Sequence, residues 1–381
     1  MKYNKALILL LLVFMNNLGI YSQQCFPDGI IFESQQDIDN FKIDFPYCSS
    51  IIGNVIIGNN FGDINNLDSL SNIDTIYSDL QIIYNPLIID IDGLQNLKYI
   101  GGSLIVKNNY DIESISGLVG LNFIGQNLII DGNYELKNLI GLDSISSIPE
   151  IFQIINNGNL TQLTGIENLS SVGISLKISG SKILNVDQLY SLDSIGTFIY
   201  INGNKDLTDL SGLVNLVFIG SSLYINNNDA LESLSGLDNF DFEELNFLSL
   251  QGNKELSFCE IQSVCSFLEI NSPDKYSINY NKTGCQNEDE VKIACGIVNT
   301  SDIEFNPEIK IFPNPTNEII KIKGIIKSNR IRIELFNYLG AKVLYTSEPT
   351  DQIDVSSLPK GIYILRIEIN ESTLRKKILI Q

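Results

Sequence analysis

Between about Ile51 and Cys259 the apolar residues fall into a pattern that returns every 24 residues, with single-residue slips beside one copy and before Asn253. One copy shows the unit: Gly101-Gly-Ser-Leu104-Ile-Val106-Lys-Asn-Asn109, then Ile112, Ile115, Gly117-Leu118, Leu121 and Ile124. An asparagine recurs at Asn85, Asn109, Asn133, Asn157, Asn204, Asn228 and Asn253, with Ser181 in the one gap. A Gly-Leu step recurs at Gly93, Gly117, Gly141, Gly165, Gly212 and Gly236, with Gln188 in that same gap. A fixed period of this size predicts a solenoid built from stacked units.

The spacing within the unit predicts its parts. Leu104 and Val106 sit two apart, so they share one face of a short strand. The asparagine then turns inward, where its amide can satisfy backbone groups that would otherwise be buried unpaired. The later aliphatics come every three residues, which suits a tight or 3₁₀-like return. Units stacked at the strand spacing of about 4.8 Å make nine copies into a rod roughly 40 Å long. Such a rod needs caps, because an open end exposes core and strand edges.

Both flanks supply candidates. Lys2 and Lys5 precede the apolar run Ala6–Phe14, which predicts a secretory signal peptide over 1–22, cut after Ser22. No stretch is long and apolar enough to be a transmembrane segment. Residues 23–50 leave the repeat: Cys25 and Cys48 bracket Ser34–Phe41, a serine-capped helix, and predict an N-terminal cap closed by a disulfide. Residues 259–298 hold Cys259, Cys265, Cys285 and Cys295 and predict a C-terminal cap, with a short helix near 260–268. Four cysteines allow three pairings; Cys259–Cys285 with Cys265–Cys295 is preferred without being fixed. Their spacings are wide for a zinc site, so disulfides are expected and no metal or other cofactor. Residues 299–308 read as a linker. From 309 to 381 the grammar changes to seven short alternating strands separated by turns, a small Ig-like β-sandwich.

The fold class expected is therefore mainly β: a right-handed β-helix or leucine-rich-repeat-like solenoid over 51–258, followed by that sandwich. Composition sharpens this. The chain has six Cys and no His, so the histidine triads, the Cys-His pairs and the histidine zinc sites are excluded. Net charge is −20, unevenly spread: residues 309–381 hold 12 basic and 7 acidic residues, a net of +5, against 11 and 38 over 23–308, a net of −27. An acidic body of this kind should not bind nucleic acid.

Two resemblances follow from these motifs. The entry Cys48-Ser-Ser-Ile-Ile-Gly-Asn-Val-Ile-Ile-Gly58, with its Gly-x-Leu-x-Ile-x-x-Asn repeats and Gly-Leu steps, resembles the receptor L-domain branch of leucine-rich-repeat proteins. The likeness covers about 25–298 and implies a right-handed β-helix of the kind found in receptor ligand-binding lobes; it does not supply a ligand. The copy around Ser181 departs from the pattern. Residues 309–381 resemble the C-terminal sorting domain of the type IX secretion system of Bacteroidetes-type bacteria. That likeness rests on Phe312-Pro-Asn-Pro315, Asn337-Tyr-Leu-Gly-Ala-Lys342, Leu358-Pro-Lys-Gly-Ile-Tyr363 and Arg375-Lys-Lys-Ile-Leu-Ile380. It implies the type IX machinery as a partner and a secreted or surface-attached product, reached through the periplasm.

Counting back from each repeat asparagine gives the outward positions of the predicted strands. The middle column includes Ile105, Ile129, Lys177, Tyr200 and Tyr224; the column before it includes Phe198 and Phe247. A merely solvated face should be polar here, so Phe198, Tyr200, Tyr224, Phe247, Ile105 and Ile129 are candidate contacts for an extracellular glycan or protein. Tyr200 and Tyr224 hold the same place in consecutive copies, so their rings should stand about 4.8 Å apart. Burial under a loop or plain β propensity would explain the same residues. Polysaccharide cleavage on a β-helix is the alternative function, and it needs convergent carboxylates. Lys107 and Asp131 are the only charged neighbours on this face, and a cross-strand ion pair explains them. Asp131-Gly-Asn133 and Asn226-Asn-Asn-Asp229 could hold calcium, but repeat turns favour the same residues.

Overall fold

The computed structural model describes residues 23–58, 62–242, 244–297, 309–323, 331–348, 350–369 and 372–381. The expected signal peptide and the whole of the expected linker lie outside them. The chain is mainly β, and its repeat region forms parallel sheets of a kind compatible with a solenoid. One sheet has eleven strands, taken from Ile30–Phe32, Val55–Ile57, Leu80–Ile83, Leu104–Lys107 and onward to Phe247–Gln251 and Tyr276–Asn279, each beside the next in sequence.

The register has no slip through the repeats. Leu104 pairs with Leu128, Leu128 with Phe152, Phe152 with Leu176, and Leu176 with Ile199. Val106, Ile130, Ile154, Ile178 and Ile201 form a second such row. All these side chains are buried, so like residues stack on like. Parallel strands need a long crossover, and the rest of each 24-residue unit supplies it. Two-residue strands such as Tyr99–Ile100 and Phe123–Ile124 form smaller parallel sheets of five and four strands. The return carries 3₁₀ turns at Asp68–Leu70, Asp92–Leu94, Ser116–Leu118, Asp187–Leu189 and Ser211–Leu213.

Close approach explains the Gly-Leu step. A Cβ on Gly93, Gly117 or Gly212 would lie 1.9, 2.0 or 1.8 Å from a carbonyl oxygen of the preceding unit. No side chain fits there without moving backbone. Gln188 takes the position in the exceptional copy, and its Oε1 accepts from the Leu163 amide of the unit before.

Both ends of the stack are closed. At the start, helix Gln35–Asp44 has the Ser34–Asp37 capping box and buries Ile38 and Phe41. The Cys25–Cys48 disulfide ties the incoming strand Gln23–Cys25 to the strand Cys48–Ile51 that follows the helix. At the far end lie helices Gln262–Ile270 and Glu288–Cys295, the first starting two residues later than expected from sequence. Disulfide Cys265–Cys295 joins the two helices, and Cys259–Cys285 joins the segments that lead into them. Beyond them, Lys310–Phe312, Ile319–Lys323 and Gln352–Asp354 form a three-stranded antiparallel sheet. Lys342–Thr346, Ile331–Asn337, Gly361–Ile369 and Ser372–Ile380 form a four-stranded one. Ile320, Ile353, Ile333, Leu335, Leu365 and Ile378 are the buried core between them.

Candidate functional site

The wide sheet is held by a ladder of buried amides. Each rung's Nδ2 donates to a backbone carbonyl about one unit upstream, at 2.8 to 3.0 Å, as Asn133 does to Val106. Nδ2 also donates to the Oδ1 of the next asparagine at 3.0 to 3.3 Å. That same Oδ1 accepts the backbone amide of the rung before it, as Asn133 does for Asn109 at 3.2 Å. Asn85, Asn109, Asn133, Asn157, Asn204, Asn228 and Asn253 are fully buried. At the gap the Ser181 hydroxyl accepts the Asn157 amide at 3.3 Å, and the Ser181 amide donates to Asn204 Oδ1 at 3.2 Å. The polar row thus continues, without the second donor. Asn281 adds a last rung in the C-terminal cap that sequence reasoning missed. Its signal was present in Ser277-Ile278-Asn-Tyr-Asn281, which repeats the apolar-x-x-Asn ending.

This scaffold fixes the outward residues. Tyr200 pairs with Tyr224, and Phe198, Ser222 and Phe247 follow one another in register. Tyr224 is the centre: its ring lies 6.1 Å from Tyr200, 6.4 Å from Phe198 and 5.8 Å from Phe247, at interplanar angles of 56°, 89° and 35°. The two tyrosines are farther apart than strand spacing because they tilt rather than stack, and tilted or edge contacts suit the ring quadrupole. All four aromatics are half-exposed. Lys177, in register with Tyr200, holds its ammonium 5.5 Å from the Phe198 ring centre and adds a cation to the patch.

Ile105 and Ile129 pair with each other, also half-exposed, but Gln153 and Lys177 separate them from the rings along the same column. They form a neighbouring apolar step rather than part of the cluster. Lys107 Nζ meets Asp131 at 3.0 Å. The oxygens weighed for calcium are engaged elsewhere: Asn226 Oδ1 accepts from Ser249 and the Gln251 amide, Asp229 pairs with Lys254, and Asn228 is a ladder rung. Two exposed ring stacks went unnoticed in the sequence, Tyr99–Phe123 at 4.8 Å and Tyr110–Tyr134 at 5.5 Å. Both follow the 24-residue period, and each ring turns one face to its partner.

The carboxyl-terminal sheets touch the end of the repeat body through charge. Arg375 Nε stands 3.4 Å from Glu260 Oε1, with the two side chains 5% and 4% exposed. Burial pushes the Glu260 carboxyl above its ordinary range and the Arg375 guanidinium below its own. The pair is 115 residues apart in a chain without periodicity at that distance, so nothing in the sequence announced it.

The basic two-sheet module at the end of the chain marks an exported cargo. Residues 310–381 match the secretion system C-terminal sorting domain. This is the tail that the type IX system reads, so the protein crosses the periplasm and is secreted or displayed at the cell surface. No curated protein matches the chain. No helix among the described residues is long and apolar enough to cross a membrane.

Proposed function

We propose that the repeat body is a non-catalytic recognition module, a receptor L-domain-like solenoid followed by an Ig-like sorting sandwich. It binds an extracellular glycan or protein through Phe198, Tyr200, Tyr224 and Phe247. One observation carries the reading: residues from three consecutive strands bring four half-exposed rings into contact around Tyr224 on an otherwise regular face. Aromatics held by a rigid sheet lose little entropy on contact, so binding energy concentrates there. The hydroxyls of Tyr200 and Tyr224 offer polar partners to a sugar or a peptide. Against a polysaccharide-cleaving enzyme stands the scarcity of acid. Among the described outward residues, Asp131 is neutralised by Lys107, and Asp79, in the column that includes Phe198, accepts the Ser103 amide, whereas glycoside hydrolysis ordinarily uses two convergent carboxylates.

The test is an array of glycans and surface proteins probed with the whole chain. Tyr200→Ala with Tyr224→Ala should weaken the captured interaction at least about tenfold, or 1.4 kcal/mol. Removing the exposed Glu113–Lys137 pair by alanine should leave it unchanged. Equal binding by the tyrosine variant eliminates the patch.

A further inference from the structure

In the sorting domain, Glu334, Arg366 and Arg375 lie side by side across three strands. They are on the face opposite the one that Leu335, Leu365 and Ile367 turn to the core. Arg332 and Lys342 stand on the same sheet, paired with Glu368 and Glu334. Arg366 and Arg375 are directly opposed, and like charges in that position repel. Glu260 of the repeat body's cap meets this row at Arg375, whose Nη1 also donates to the Gly284 carbonyl at 3.4 Å. The fit is close: a Cβ on Gly284 would lie 2.1 Å from Arg375 Nη2. Beside the pair, a cavity of about 330 Å³ is lined by Glu232, Glu255 and Lys282 from the body and Arg332, Lys342 and Arg366 from the domain.

We propose that the acidic end of the repeat body, centred on Glu260, is a docking site for the cationic sheet face of its own sorting domain, and that this contact covers a surface fitted to an acidic partner. Charge favours the pairing at long range, since the body carries a net −27 and the domain +5. At short range the contact is close to balance. Glu260 Oε1 and Arg375 Nε are buried without a hydrogen bond, and a buried ion pair of that quality roughly offsets its own desolvation. Docking is therefore specific and readily undone. While it lasts, Arg375 is unavailable to any other acidic surface; Arg366 stays paired with Glu334 and Glu368 of its own domain, and once the contact opens the Arg375 end of the face is presented.

The experiment compares whole chains. Glu260→Lys sets a third cation against Arg366 and Arg375 and should release the domain. The radius of gyration from small-angle scattering then rises, and elution from heparin, a polyanion standing in for the acidic partner, moves to higher salt. The reference is Glu269→Lys, an exposed position of the same cap with the same added charge; it should stay compact and elute earlier. Adding Arg375→Glu to Glu260→Lys should restore the compact profile. The proposal fails if Glu260→Lys keeps the wild-type radius and elutes with Glu269→Lys, or if the swap restores nothing. Should Glu260→Lys not fold, Arg375→Glu alone decides by scattering: an expanded chain supports docking, and a compact one overturns it.

Discussion

The repeat body and the sorting domain are both β, yet they are held together in opposite ways. In the body every strand of the wide sheet is parallel to the next and meets a near-copy of itself one unit on. In the domain every paired strand is antiparallel, and Ile331–Asn337 pairs with strands that follow it at different distances. The body carries three disulfides and a row of buried amides; the domain carries no cysteine. Repetition makes each rung replaceable, as Ser181 shows, because neighbours on both sides repeat its job. A strand of the domain has no such understudy.

Deleting residues 309–381 tests the contrast hardest. The body has its own caps, so the truncated chain should fold with all three disulfides and accumulate in the periplasm, with loss of surface and medium signal on fractionation. Truncated protein that still reaches the surface would remove the tail's role in export, and a truncated chain with free thiols would show that the body depends on the domain. Within the body, Asn133→Ala leaves the Asn109 amide without a partner and takes the side-chain donor from the Val106 carbonyl, and should cost about 1–3 kcal/mol by denaturant unfolding. Asn96 and Asn215 also bridge units, donating to Ser71 and Tyr190 carbonyls at 2.8 and 2.7 Å, but from exposed positions where water takes over; alanine there should cost clearly less. The smallest effect goes the other way. Ser181→Asn returns the missing amide donor and should add about 1 kcal/mol; a fall in Tm would mean that the turn at Ser181 has no room for it.

Much of the body was legible because a repeated sequence averages out local ambiguity. Repeated copies of an apolar-x-apolar-x-x-Asn unit fix which side chains point in, and the even number of cysteines in the flanks marked the caps. The tilt of the tyrosines was not legible: period gives strand spacing, whereas side-chain rotamers follow from packing against Phe198 and Phe247. Asn281 escaped because a helix and two cysteines interrupt the period before it. The Glu260–Arg375 contact escaped for a deeper reason, since it joins two modules whose patterns carry no information about each other.

The absence of slips in register has one more consequence. Because each unit bonds only to the units beside it, a whole 24-residue copy could be gained or lost with every neighbour's bonding intact. Each such event would move the aromatic patch by about 4.8 Å relative to whatever holds the other end. A chain built on this plan can set how far its aromatic patch stands from its sorting domain by counting copies, as a ruler does.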